Sequence, residues 1–347
     1  MKKKVLFKSK ENRKPFVEFV PYNANFFSES PEVFNNPDDD YATISVITHY
    51  NEFFINGDVD TKPKYFIRHT NNDSTRFVGI IDFNDDFLQP QIGGHTEDLE
   101  ACHKDDAFVK HQQVDDTHYG YSSFNGEMKL IVDETSIEFK EGNVLEGKGT
   151  FFPYAVVDHN NIWNDIACIY QSYVFEGTYL GQSVKGVGRY SRSFRPSSDD
   201  HPYELLGYID NELVGVREDG RREMTIIHMD STGKVFAFYL LDGEEPVVSD
   251  EVEMETEWYR LPYMDDGTCI YKEVTYRFGG KEIHFKGKWG TKGFTEKPRF
   301  DKNGQSQVFG TWYEGKEEYK HTLYQTFNEN QECYDYKLKE MGFDVID

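Results

Sequence analysis

Between Gly93 and Tyr121 the chain gathers His95, Glu97, Asp98, His103, Asp105, Asp106, His111, Asp115, Asp116, His118 and Tyr119. Four of the 11 histidines fall here, at intervals of eight, eight and seven residues. Imidazole and carboxylate are ligands of zinc and non-haem iron, and they are the usual acids and bases near neutral pH. A metal centre, one histidine in acid/base work and a solvated loop are therefore all open readings. No HxH or HxxxH spacing fixes two rings on one element, so no stoichiometric transition metal is expected. His118 leads the acid/base candidates, with Tyr119 beside it. It follows Asp115-Asp116, whose charge would raise its pKa, and leads into the aromatic run Tyr119-Gly120-Tyr121. Strand alternation places His118 with Gly120 and Tyr119 with Tyr121, so all three side chains face inward together only across a bulge.

A second candidate is Asp158-His159, where the carboxylate would orient the imidazole and Trp163 would wall a cavity; a loop between strands explains it equally well. A third, Val216 to Glu223, reads as a solvated hairpin turn. P-loop, GxSxG elbow and Rossmann GxGxxG motifs are absent, so no cofactor is expected. The acidic pairs, such as Asp85-Asp86 and Asp265-Asp266, lack EF-hand spacing and read as turn caps.

The elements that must position these groups are strands. Period-two runs such as Thr43–Tyr50, Lys64–His69 and Arg76–Phe83 are separated by Asn, Asp and Gly, which marks hairpins. Arg222–Met229 and Lys234–Leu241 flank Asp230-Ser231-Thr232-Gly233, the cleanest hairpin in the chain. Only Thr96–Val109 and Gln331–Met341 could be helices. At 347 residues the chain suits two domains, and 28 Phe with 23 Tyr can build a large core. A net charge of -24 argues against nucleic acid and anionic membranes. No run approaches the ~20 apolar residues of a membrane span. Met1 to Lys8 starts like a signal peptide but lacks the apolar run that must follow, and the four cysteines form no CxxC pair, so a cytoplasmic protein with reduced thiols is expected. A secreted form with two disulfides is the other reading of the cysteines.

The chain also repeats itself. Leu145–Phe151 resembles Phe285–Gly290, and Phe175–Gly181 resembles Phe309–Gly315, with offsets of 140 for Gly147 to Gly287 and 133 for Gly177 to Gly310. Two matches in one order suggest a duplicated β unit, with a seam at the Pro/Ser/Asp stretch Phe194–Pro202. The expected organisation is an N-terminal tail (1–15), a first barrel (16–195), a second barrel (203–330) and a C-terminal tail (331–347) with a short helix. Glycines inside strands favour coiled sheets that close into barrels. With Lys185-Gly186-Val187-Gly188-Arg189-Tyr190 leading into the seam, the chain resembles the two-domain lipocalin-like proteins, the group of carotenoid hydratases and AttH-type hydrolases. The resemblance spans about Phe16 to Phe327 and is architectural.

That resemblance implies an all-β chain of two antiparallel barrels, at least one enclosing an apolar cavity for a hydrophobic small molecule. Tyr121, Trp163, Tyr179, Trp289 and Trp312 are the aromatic residues expected to wall it, unless they only pack the core. Three functions stand: an enzyme of hydratase, isomerase or cyclase type working by proton transfer through His118, His159, Asp158 or Tyr119; a carrier with the same cavity; or a structural protein with solid barrels. The size of the chain favours the enzyme. Neither the ligand nor the oligomeric state can be read from the sequence.

Overall fold

The computed structural model describes residues 2–11, 17–21, 46–55, 64–70, 75–80, 109–113, 118–123, 126–159, 167–195, 207–262, 267–292, 306–331 and 333–347. They form two units, one drawn from residues 17–80 and 109–195, the other from 2–11 and 207–347. The chain is nearly all β in two curled antiparallel sheets. The 23 strands among the described residues run from β1 (Lys3–Lys8) and β2 (Val17–Pro21) through β3 (Val46–Ile55), β4 (Lys64–Thr70), β5 (Thr75–Ile80), β6 (Val109–Gln113) and β7 (Tyr119–Ser123). There follow β8 (Met128–Val132), β9 (Ser136–Glu141), β10 (Leu145–Phe151), β11 (Tyr154–His159), β12 (Ala167–Tyr179) and β13 (Gln182–Arg195). The second unit holds β14 (Tyr208–Arg217), β15 (Arg222–Asp230), β16 (Val235–Leu241), β17 (Val247–Ser249) and β18 (Glu251–Arg260). It ends with β19 (Cys269–Phe278), β20 (Lys281–Lys292), β21 (Ser306–Glu314), β22 (His321–Gln331), helix α1 (Asp335–Glu340) and β23 (Val345–Ile346). Thr96–Val109 lies outside the described residues except for Val109, which opens β6.

The two sheets share one strand order. The first runs β5-β4-β3-β13-β12-β10-β9-β8-β7-β6 and the second β17-β16-β15-β14-β22-β21-β20-β19-β18-β1. The four glycines of the sequence repeat fall on equivalent strands: Gly147 faces Gly177 across β10 and β12, and Gly287 faces Gly310 across β20 and β21. A Cβ on Gly177 would stand 2.0 Å from the Glu146 carbonyl oxygen, and one on Gly310 would stand 1.9 Å from that of Lys286. Close backbone approach excludes a side chain at the same place in both units. The core of the first unit is built on Phe53, Phe66, Phe139, Tyr173 and Phe175. That of the second is built on Met254, Trp258, Tyr271, Phe285 and Trp312.

The segment read as an N-terminal tail is part of the second sheet. Val5 and Phe7 of β1 pack on the core while Lys4 and Lys8 reach Glu253 (3.1 Å) and Glu251 (2.9 Å) of β18. Period-two alternation opposite an acidic strand makes Lys3–Lys8 a strand, a pattern that a basic start to the chain obscures. Ser9 then crosses to the other edge of the sheet. Its Oγ donates to the Val235 carbonyl (2.7 Å) and accepts from the Val235 N–H (2.9 Å), while Lys10 N–H donates to the Gly233 carbonyl (3.0 Å). The C-terminal segment is likewise docked: Leu338 of α1 and Phe343 join the core, and β23 pairs with β18. Ser9→Ala strips both bonds from the buried Val235 backbone and is expected to cost about 1–3 kcal/mol. Urea unfolding of the variant checks this, and an unchanged midpoint would count against a seam role for Ser9.

Candidate functional site

Directly opposed residues of antiparallel strands share a face, so register places the interior of the first unit in rows. Phe66, Phe53, Gly188 and Tyr173 form one row across β4, β3, β13 and β12. Arg68, Asn51, Tyr190 and Gln171 form the next, and Thr70, His49, Arg192 and Ile169 the one after. The apolar row continues into Phe139 and Phe175, each within 6 Å of Phe53 by ring centroid. Gly188 makes room for the Tyr173 ring, which a Cβ there would meet at 2.3 Å. One end of the interior is thus aromatic and the other polar. All of the polar side chains are buried.

The polar rows form one connected cluster. Arg68 is paired with Glu141 through two hydrogen bonds, both side chains almost wholly buried. Tyr173 Oη donates to Asn51 Oδ1 (2.6 Å), and Tyr190 Oη lies 2.7 Å from His49 Nδ1. The His49 ring stands edge-on to Tyr121 at 5.5 Å and stacks on Tyr190 at 6.0 Å. Burial raises the Tyr190 phenol to about 12, against the opposing pull of Arg192. Burial also lifts Tyr121 and Tyr173 well above the usual phenol range. All three phenols stay neutral at pH 7 and act as hydrogen-bond partners, which leaves His49 as the side chain of the cluster suited to proton transfer. Asn51 Nδ2 and Gln171 Nε2, on either side of Tyr190 in the same row, are buried with no hydrogen-bond partner among the described residues. Each such donor costs about 1–3 kcal/mol when left unmet, and native proteins keep few of them.

Of the residues singled out from sequence, Tyr121 lies in this cluster and Tyr179 at its aromatic end, 5.7 Å from Phe66. His118 precedes β7, is partly exposed, and lies 3.2 Å from Asp133 through Nε2. Its carboxylate neighbour is thus Asp133, across the hairpin. Burial pushes the Asp133 carboxyl up, but hydrogen bonds from Thr135 and Ser136 outweigh it and hold it below its usual value. Tyr121 faces the interior, and His118 takes the opposite side by alternation. Asp158 is buried on β11. The side chains of Tyr119, His159 and Trp289 lie outside the described set, as do residues Trp163, His95, His103 and Cys102 entirely. Trp312 is buried in the second unit. Among the described residues no group of three or more His, Cys, Asp or Glu is placed to hold a metal.

Glu223 corrects the reading of Val216–Glu223 as a solvated turn. Asp219 and Arg221 are exposed, but the Glu223 carboxylate is wholly buried. It accepts from Arg217, Tyr239 Oη (2.7 Å), Tyr319 Oη and His321 Nε2 (2.9 Å). Burial pushes the carboxyl up, but His321, Arg217 and Tyr319 overcome this and bring it down to about 2. Period two explains the miss: Glu223, Thr225, Ile227 and Met229 share the inward face of β15, opposite Gly215, Leu213, Asn211 and Ile209.

Sequence reading also passed over His49, Asn51, Arg68, Glu141, Gln171 and Tyr190. The available signal was His49 and Asn51 at alternate positions with Phe53 and Ile55, polar groups on the inward face of a strand.

Comparison with protein-family models finds no match, and neither does comparison with curated proteins. Among solved structures, an AttH-type protein from Nitrosomonas europaea is similar at a TM-score of 0.42 and 10% identity, over 87% of this chain and 96% of its own. Kievitone hydratase from Nectria haematococca aligns at 0.38 and 8% identity, over 95% and 99%. CghA with Sch210972 aligns at 0.37 and 10% identity, over 94% and 98%. No helix among the described residues is long and apolar enough to cross a membrane. Cys168, Cys269 and Cys333 are buried thiols, not joined in disulfides.

Proposed function

We propose that the first unit binds a hydrophobic small molecule by an acceptor oxygen and moves a proton on it, as a hydratase, isomerase or cyclase does. The observation that carries this reading is the pair of unmet amide donors, Asn51 Nδ2 and Gln171 Nε2, beside the His49–Tyr190 pair in a buried interior. The two amides would hold a carbonyl or hydroxyl oxygen. His49, its Nδ1 fixed by Tyr190, would give or take the proton through Nε2. The Phe53, Phe66 and Phe175 rings would seat the apolar body and favour a cationic intermediate where one forms. Such chemistry requires no cofactor. Cys168, Cys269 and Cys333 in thiol form support placing the protein in the cytoplasm.

A carrier with the same interior is the second reading, and the His49–Tyr190 pair favours the enzyme over it. The carbonyl-bearing fluorophore 6-propionyl-2-(dimethylamino)naphthalene serves as a binding probe. Asn51→Leu and Gln171→Leu are each expected to weaken its binding about tenfold, the loss of one buried hydrogen bond. Unchanged affinity in both variants, with folding intact by circular dichroism, would remove the amides from recognition.

A further inference from the structure

The second unit repeats one part of this interior and omits another. Asn211-Glu212 occupies β14 as Asn51-Glu52 occupies β3, the equivalent strand of the shared order. Tyr271 Oη donates to Asn211 Oδ1 at 2.7 Å, as Tyr173 does to Asn51. Asn211 Nδ2 is again buried with no partner among the described residues. A second unmet donor accompanies it: Trp258, wholly buried, stands edge-on to Tyr271 at 5.1 Å, and its Nε1 has no partner either. The omitted part is a charge facing the asparagine; the buried Glu223 carboxylate lies two rows along, opposite Gly215. The residue facing Arg68 in the first unit is Asn51; the one facing Asn211 across the equivalent strand pair is Ile227. Tyr276 Oη, 3.1 Å from Tyr271 Oη, completes the polar set, and burial lifts its phenol well above the usual range.

We infer that the second unit carries a separate binding site for an uncharged, apolar molecule with one acceptor oxygen, such as a ketone, ester or ether, held by Asn211 Nδ2 and Trp258 Nε1. Two buried donors grouped about one tyrosine call for an acceptor. Walls built from Leu213, Ile227 and Met254 call for an apolar body. With no histidine or carboxylate in the set, and the Tyr276 phenol held neutral by burial, this site binds without chemistry. The inference stands on the second unit and does not depend on proton transfer in the first.

The full chain is titrated with 6-propionyl-2-(dimethylamino)naphthalene, scoring equivalents bound and affinity. Wild type is expected to take up two equivalents. Asn211→Leu, which removes the amide, and Trp258→Phe, which keeps an aromatic ring but removes the N–H, should each weaken one class of site about tenfold. The class sensitive to Asn51→Leu should be untouched by both. Thermal unfolding of each variant verifies the fold, and Trp258→Phe serves should Asn211→Leu not fold. Binding in wild type, of one equivalent or two, that is indifferent to both substitutions overturns the inference and leaves a buried water as the partner of these donors. Loss of the Asn211-dependent class alongside an inert Asn51→Leu would instead count against the reading of the first unit.

Discussion

Replacing His49 with Gln is expected to lower turnover about 10²–10⁴-fold while leaving ligand affinity within a few-fold. General acid/base catalysis is typically worth that much in rate, and Gln keeps a polar group of similar reach while losing the ability to shuttle a proton at neutral pH. The split between rate and affinity separates this from a structural defect, which would move both. Tyr190→Phe, which removes only the phenol 2.7 Å from Nδ1, should produce a smaller fall and shift the pH profile, because Tyr190 positions the ring. His118→Gln provides the contrast, since His118 is partly exposed beside Asp133. Should that variant lose turnover while His49→Gln retains it, the site has been placed on the wrong residues.

Glu223→Ala is expected to destabilise the second unit by about 3–5 kcal/mol, the usual result of removing one partner from a buried ionic network. Arg217, Tyr239, Tyr319 and His321 all lose their acceptor at once. Glu223→Gln, which keeps the shape and one oxygen, should lose less. The same group sets the acid limb of stability. Its folded pKa of about 2 lies below the ordinary carboxylate value of 4.5, so its contribution is present above pH 4.5 and disappears as pH falls toward 2. The difference corresponds to about 3 kcal/mol. His228 sets the alkaline limb: burial lowers its pKa, but Asp210 and Asp230 outweigh burial and lift it from 6.5 to about 9. Its contribution, also about 3 kcal/mol, is complete below pH 6.5 and is lost as pH rises through 9. Denaturant melts of the second unit should show a plateau between pH 4.5 and 6.5. A flat profile from pH 3 to 9 would dismiss both groups as determinants.

Local chemistry made much of the architecture legible. The Asp230–Gly233 turn forms as its residues require, with Gly233 at φ 91° and Asp230 Oδ1 accepting from Thr232 N–H at 2.8 Å. Gly147 and Gly287 identify equivalent strands because the same carbonyl crowding excludes a side chain at the glycine opposite each. The polar interior was harder to read, since its bonds join residues far apart in the chain. Arg68 and Glu141 are 73 positions apart, Glu223 and His321 are 98, and Tyr173 and Asn51 are 122. No spacing rule links such pairs, whereas the local density of histidine from His95 to His118 draws the eye to a segment whose His118 is partly exposed beside Asp133. Alternation held the remaining clue: a His or Asn in phase with buried phenylalanines is a polar group aimed at the core.

The most direct test of the acid/base reading follows protons rather than a named substrate. Apolar metabolites extracted from the cells of origin are incubated in D2O with the wild-type chain, with His49→Gln and with buffer, and their masses are compared. The account predicts at least one metabolite that gains deuterium or the mass of water with wild type, and gains it at least a hundredfold more slowly with His49→Gln. Deuterium uptake that persists at full rate in His49→Gln, or no uptake above buffer with the wild-type chain, would contradict it.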